Sequence, residues 1–486
     1  MDEYQAALDR YADALGYDLD GDQRASFAES FAAFDETLAA LSAFEPPDPP
    51  DRAYWDPTDE TDPNGAFLTR CDVHGAPDGP LAGTTIGVKD NIAVAGVPMT
   101  CGSPAMADCV PTEDATVVRR LLAAGGRIIG KTNLDEFAYG RRPGSMRIRT
   151  AKNPHDPEHQ PGSSSTGSGV AVADGLVDAA VGTDNGGSIR YPAAWCGVVG
   201  LKPSRGLVSH HGFVQSAKTL DTIGVLASES RGVAAVLAAI AGPDPRDDFT
   251  TGAEVGEYVA AAKRGASTAP ADLTIGVPKS FFGQAPDLDE YVRAAVESLA
   301  DRGATVRQVT IDGIEYARPA YTALNLTETG NYFRANATNY WHVTASDPAI
   351  PASIHEALTE RTASLSDRIL LLTLYAAYLS SEGGDRYYTL GHRARRHVAS
   401  GIDAAFEEVD VLASTTVPVT PPRLDEPLPV EAASNTLPAN VSGHPAVSVP
   451  CGRHEGLPVG LQFVAPRFEE ATALRAAAHW EAIRDD

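Results

Sequence analysis

Cysteine is scarce in this sequence. Five stand in 486 residues (Cys71, Cys101, Cys109, Cys196 and Cys451), odd in number, scattered, and with no C-x-x-C. That spacing excludes a disulfide framework and a zinc ribbon. Long apolar runs are missing too: no stretch approaches the ~20 residues of a membrane span. The opening MDEYQAALDR is acidic, with no apolar run, so no signal peptide is expected. Lysine is the third shortage, with seven among 39 basic residues against 65 acids, for a net charge of −26. Phosphate binding needs a basic footprint, so nucleic acid is not expected as a partner. An acidic, lysine-poor surface points to a high-salt cytosol, where ions screen the self-repulsion. A soluble cytoplasmic protein is expected, with no membrane partner.

What is present suits a large core. Hydrophobic residues make up 43%, and the length fits one large domain plus an accessory piece. In residues 1–44, Tyr4, Ala7, Leu8, Tyr11 and Leu15 share one helical face. After an Asp20-Gly21-Asp22 turn, Phe27, Phe31, Phe34 and Leu38 share another. Pro46-Pro47-Asp48-Pro49-Pro50 then reads as a stiff linker. Residues 1–62 are therefore expected to form an N-terminal helical extension and linker, a candidate homodimer element, and 63–486 the main domain. Beyond residue 66, strands are expected at 84–88, 127–129, 273–277, 305–311, 446–450 and 459–464. Helices are expected at 114–124, 288–302 and 469–483, and a buried helix followed by a strand within 169–182. The aromatic-rich stretch 315–400 reads as mostly helical. This alternation predicts an α/β fold: a large mixed twisted sheet with helices on both faces.

Two familiar patterns are rejected on context. Gly125–Thr132 (GGRIIGKT) fits the P-loop expression, but the element before it reads as a helix and Arg127–Ile129 as the strand itself. His155–His159 (HDPEH) fits a zinc-protease expression that requires a helix, yet Pro154 and Pro157 break one. No metal and no cofactor are expected.

The G-x-S-x-G nucleophile elbow is also absent. In its place stand two Gly/Ser-rich loops flanking a small-residue helix: Gly162–Gly169 (GSSSTGSG) and Gly182–Arg190 (GTDNGGSIR). Gly87–Asn91 (GVKDN) lies upstream, Asn440–Gly452 (NVSGHPAVSVPCG) and Pro458–Gln462 (PVGLQ) downstream. Together, in this order, they resemble the amidase signature family. The likeness is strong over about 66–240 and 405–470. The N-terminal extension resembles that of stand-alone amidases. The resemblance implies Ser188 as nucleophile, Ser164 as bridging serine after a cis peptide bond, and Lys89 as base. The 24-residue spacing from Ser164 to Ser188 favours Ser164 over Ser163 and Ser165. The chain departs from the family where Ser163 and Thr166 replace glycines.

The chemistry is coherent by itself. An amide is a poor electrophile, so the attacking hydroxyl must lose its proton as it attacks. A lysine accepts that proton only when neutral, and burial lowers its pKa. Without Cβ atoms, Gly186 and Gly187 can turn their N–H groups to a developing oxyanion, so the backbone amides of Asn185, Gly186, Gly187 and Ser188 are the expected hole. Asp184 and Arg190 are expected to brace the loop. Thr100, Trp195 and aromatic residues of 315–400 are expected to shape the pocket.

The expected activity is hydrolysis of a small carboxamide to acid and ammonia. A first rival is the glutaminase A subunit of a glutamyl-tRNA amidotransferase, which holds glutamine with an Arg and an Asp. Arg368 resembles that Arg, but Ala433 stands at the Asp position and Tyr191 follows GGSIR, so a stand-alone hydrolase of neutral amides is preferred. A second rival is a non-catalytic amide-binding scaffold, which would have no use for Lys89, Ser164 and Ser188 together.

Overall fold

The computed structural model describes residues 2–44, 48–140, 143–336, 347–383 and 385–484. It divides into two compact units, Met1–Asp48 and Pro49–Asp486. Pro46 and Pro47 of the expected linker lie outside the described residues.

In the first unit, helices α1 (Asp2–Leu15) and α2 (Gly21–Leu38) pack together, with Leu8, Ala12 and Ala28 buried. A capping box starts α2: Asp20 accepts from the Gln23 N–H and the Gln23 side chain accepts from the Asp20 N–H. Tyr4 Oη donates to Asp35 at 2.8 Å. The aromatic face expected on α2 is not what the unit buries. Phe34 and Leu38 stay 62% and 56% exposed, and Ala28 is the residue of α2 that is buried.

The second unit is built on one mixed sheet of twelve strands among the described residues. In chain order they are β1 (Tyr54–Trp55), β2 (Phe67–His74), β3 (Thr85–Lys89), β4 (Arg127–Thr132), β5 (Ala179–Asp184), β6 (Val199–Lys202), β7 (Thr222–Ala227), β8 (Thr274–Pro278), β9 (Thr305–Val309), β10 (Val411–Thr415), β11 (Ala446–His454) and β12 (Leu457–Val464). Across the sheet they run β1-β2-β4-β3-β5-β7-β6-β11-β12-β10-β8-β9. The neighbours β4, β3 and β5 are parallel, as are β10, β8 and β9, and the other pairs are antiparallel. All of β5, β7 and β10 is buried, as apolar runs covered on both faces should be. This is the expected α/β architecture, and every expected strand has a counterpart.

Helix α3 (Thr116–Ala123) precedes β4, so Gly125–Thr132 is a helix-to-strand passage and not a phosphate loop. Residues 155–159 form a bend, a turn and a β-bridge from His159 to Arg423 with no helix, and His155 Nε2 meets Cys196 O at 2.9 Å. Among the described residues no helix is long and apolar enough to cross a membrane. Helix α4 (Thr166–Ala173) is buried over its first seven residues because it is made of small ones. A Cβ on Gly167 would lie 2.1 Å from Ala66 O.

Candidate active site

Three parallel strands bring their carboxyl ends to one level, the usual position for a ligand site in such sheets. Lys89 ends β3 in register with Thr132 of β4, and Val88 pairs with Val181 of β5. Asp135 follows β4 by three residues and Asp184 ends β5.

Lys89 is fully buried, and its Nζ donates to three hydroxyls: Ser164 Oγ at 2.9 Å, Ser165 Oγ at 3.1 Å and Thr183 Oγ1 at 2.8 Å. Burial pushes its ammonium down to about 7, against the opposing pull of the Asp135, Asp184 and Asp221 carboxylates. Ser165 is tied to β5, donating to Thr183 O at 2.9 Å and accepting from Thr183 N–H at 3.1 Å. The loop comes this close because Gly182 has no side chain; a Cβ there would sit 2.7 Å from Ser165 Oγ. Ser164 Oγ meets only Lys89 among the described residues, and the Ser163–Ser164 peptide bond is cis. The Ser165 N–H donates to Ser188 O at 3.0 Å, which joins the two Gly/Ser loops.

Asp184 and Arg190 brace the second loop by pairing with each other. Asp184 also accepts from the Gly187 N–H at 2.7 Å, the Ile189 N–H at 3.2 Å and Asn440 Nδ2 at 2.8 Å. Burial disfavours its charge, but Arg190 outweighs burial and holds the carboxyl at about 2. The bond from Gly187 corrects one expectation: its N–H points back at Asp184. Asn185, Gly186 and Ser188 line the cleft, and Gly187 does not.

That cleft has a volume of about 200 Å³, with Tyr139, Tyr191, Tyr321, Asn325 and Arg368 as walls. The Arg368 guanidinium lies 4.7 Å from the Tyr139 ring centre. Tyr321 Oη donates to Asn185 Oδ1 at 2.9 Å, and Asn185 Nδ2 donates to Asp221 at 2.6 Å. Thr100 and Trp195, expected at the pocket, lie elsewhere: Thr100 donates to Asp90, and Trp195 Nε1 to Val419 O. Sequence reasoning missed Asp135, Thr183, Tyr139 and Asn325. The signal for Asp135 was its place just beyond a strand adjacent to the Lys89 strand.

The comparisons bear on this geometry. A family profile described as Amidase matches residues 66–474. The A subunit of glutamyl-tRNA(Gln) amidotransferase from Halobacterium salinarum is 45% identical over 423 residues, covering 85% of this chain and 98% of that protein. The structure of the A subunit of glutamyl-tRNA(Gln) amidotransferase from Thermotoga maritima superposes with a TM-score of 0.71 at 31% identity, over 84% of this chain and 85% of that one. The peptide amidase of Stenotrophomonas maltophilia superposes with a TM-score of 0.70 at 32% identity, over 83% of each.

These relatives overturn the preference for a stand-alone hydrolase of neutral amides. They overturn equally the expected partners: a small amide substrate, no nucleic acid and a possible homodimer. Relatives covering 85% of the chain are subunits of an enzyme named for glutamyl-tRNA(Gln). The preference had leaned on Ala433, and the structure gives the physical reason it misled. Ala433 is fully buried in an apolar cluster with Tyr191, Trp195 and Leu437, and is not part of the cleft lining. With its fold, its matched segment and the buried lysine set against two serine loops, the chain belongs to the amidase family, enzymes that hydrolyse the carbon–nitrogen bond of amides.

Proposed function

We propose that this chain is the glutaminase A subunit of a glutamyl-tRNA(Gln) amidotransferase, with Ser188 as nucleophile, Ser164 as bridging proton carrier and Lys89 as base. The observation that carries the reading is the 45% identity over 423 residues to the Halobacterium salinarum protein. The contact of Lys89 Nζ with Ser164 Oγ at 2.9 Å supports the residue roles.

Ser188 Oγ attacks the carboxamide carbon of glutamine. Its proton passes to Ser164, whose own proton passes to neutral Lys89. The backbone N–H groups of Asn185, Gly186 and Ser188 receive the oxyanion. The adduct collapses as Lys89 returns the proton through Ser164, and ammonia leaves. Water then repeats the sequence on the acyl ester, releasing glutamate and restoring the Ser188 hydroxyl. These steps call for no metal and no cofactor. The residues given these roles all lie within the unit Pro49–Asp486. The net charge of −26 repels RNA phosphate. Other subunits therefore hold the tRNA while this chain delivers ammonia, in a cytosol of high salt.

The test is ammonia release from glutamine and amidation of glutamyl-tRNA(Gln) by the chain assembled with the other amidotransferase subunits of its source. Both activities should appear in the assembly and vanish with Ser188→Ala. Failure of the wild-type chain to support amidation in a complex that forms would overturn the assignment.

A further inference from the structure

Asp135 is 4% exposed, and three hydroxyls donate to its carboxylate: Ser163 Oγ at 2.7 Å, Thr166 Oγ1 at 3.4 Å and Ser145 Oγ. Ser163 and Thr166 immediately flank Ser164 and Ser165, two of the hydroxyls to which Lys89 donates. One carboxylate thus grips both ends of the segment that faces the lysine.

The charges around Lys89 single out the same residue. The groups that favour its protonated form are Asp135, Asp184, Asp221 and the Cys101 thiol, with Asp135 first among them. Asp184 is matched by Arg190. Asp221 accepts from Asn185 and the Ser216 N–H, and burial pushes it up to about 7, so it is charged only in part near neutral pH. Asp90, the acid next to Lys89 in sequence, is paired with Lys131 at 2.9 Å. Among the described residues Asp135 has hydroxyl donors and no ion-pair partner; burial raises its own carboxyl, opposed by the Ser145 and Ser163 donors and by Lys89.

We infer that Asp135 is a positioning residue with two effects: it fixes the Ser163–Ser164 segment against Lys89, and its charge sets the pH at which Lys89 becomes a base. This rests on the roles given above to Ser188, Ser164 and Lys89. The two effects separate in two variants. Asp135→Asn keeps the size and an acceptor oxygen but removes the charge. Ser163→Ala keeps the charge but removes the tether.

The experiment is the rate at which a fluorophosphonate labels Ser188 in the full chain as a function of pH, with the labelled residue located by peptide mass spectrometry. Wild type should show an acid limb, labelling rising as Lys89 loses its proton. Asp135→Asn should move that limb to lower pH by about one unit, the low end of what a neighbouring charge does. Ser163→Ala should leave the limb in place and lower the plateau several-fold. An Asp135→Asn limb that does not move, in folded protein, would reduce Asp135 to a structural part and overturn the inference. So would a Ser163→Ala plateau equal to that of wild type. If circular dichroism shows Asp135→Asn unfolded, Asp135→Ser is read in the same way. Wild-type protein that takes no label at Ser188 would instead sink the assignment of the nucleophile, and this inference with it.

Discussion

Arg190 and Asp184 form a two-point pair inside the protein. The guanidinium Nε and Nη2 each lie 3.0 Å from a different carboxylate oxygen, and both side chains are fully buried. Arg190 also donates to Thr436 O at 3.0 Å and to Gln462 Oε1 at 2.8 Å. One side chain therefore anchors the Gly182–Arg190 loop to the helix Leu437–Ser442 and to β12. Removing one member of a buried pair strands the other charge, so Arg190→Leu should lose about 3–5 kcal/mol of stability. Urea unfolding of the variant beside wild type measures this, and a loss under ~1 kcal/mol would contradict the bracing role.

Gly187 has φ +124°, and a Cβ there would sit 2.8 Å from Thr436 Oγ1. Gly187→Ala should therefore displace the neighbouring amides of the proposed oxyanion hole, lowering kcat by about 10²–10³-fold with a smaller change in KM. Steady-state ammonia release reads both constants. A variant with unchanged kcat would show that the hole does not depend on this loop.

The pH dependence of activity follows from Lys89. Burial lowers its pKa to about 7, so in the proposed role of base it is charged and idle below that pH and neutral and competent above it. The rate of acyl-enzyme formation should rise through about pH 7 and level off on the alkaline side. A single-turnover profile flat from about pH 5.5 to about pH 8.5 would exclude Lys89 as the group that titrates.

Lys202 gives the stability counterpart. Burial, aided by Arg190, pushes it from 10.5 down to about 7. Between those values the unfolded chain holds a proton that the folded chain lacks, so this group's contribution to stability improves as pH rises through the window. Wild type should gain on Lys202→Met between about pH 7 and about pH 9.5 when both are unfolded in urea. A constant difference between the two would mean that Lys202 keeps its proton when buried.

Salt should act in the direction set by the net charge of −26. Raising KCl from about 0.1 M to about 3 M shortens the Debye length severalfold and should raise Tm by screening acid–acid repulsion. An unchanged or lower melting temperature, by differential scanning calorimetry, would remove the argument for a high-salt cytosol.

The parts legible in the sequence were those whose signal is local. The strand ending in Lys89, the buried helix before β5 and the run Gly182–Arg190 are written in consecutive residues. The missed parts depend on register or on backbone direction. Asp135 faces the lysine because β4 runs parallel to β3, and the Gly187 N–H turns to Asp184 through a torsion that composition does not encode. Tyr321 and Asn325 reach the cleft from a helix, Ala317–Arg334, more than 130 positions beyond Ser188. On α2 the aromatic stripe was visible, but which residues it met was not. Ala433 was given weight as a ligand-facing position when it is packing.

The candidate site draws its proposed proton path and much of its cleft wall from different stretches of chain. Lys89, Asp135, Ser164 and Ser188 lie within one continuous run of about a hundred residues. The wall opposite them, with Tyr321, Asn325 and Arg368, belongs to the helices Ala317–Arg334 and Asp367–Gly383. Mutation in that later stretch can redraw what the enzyme admits while the proton path stays untouched. A lineage can thus trade substrates without rebuilding its chemistry, and a transplant of residues 317–383 between relatives is the natural unit for changing one without the other.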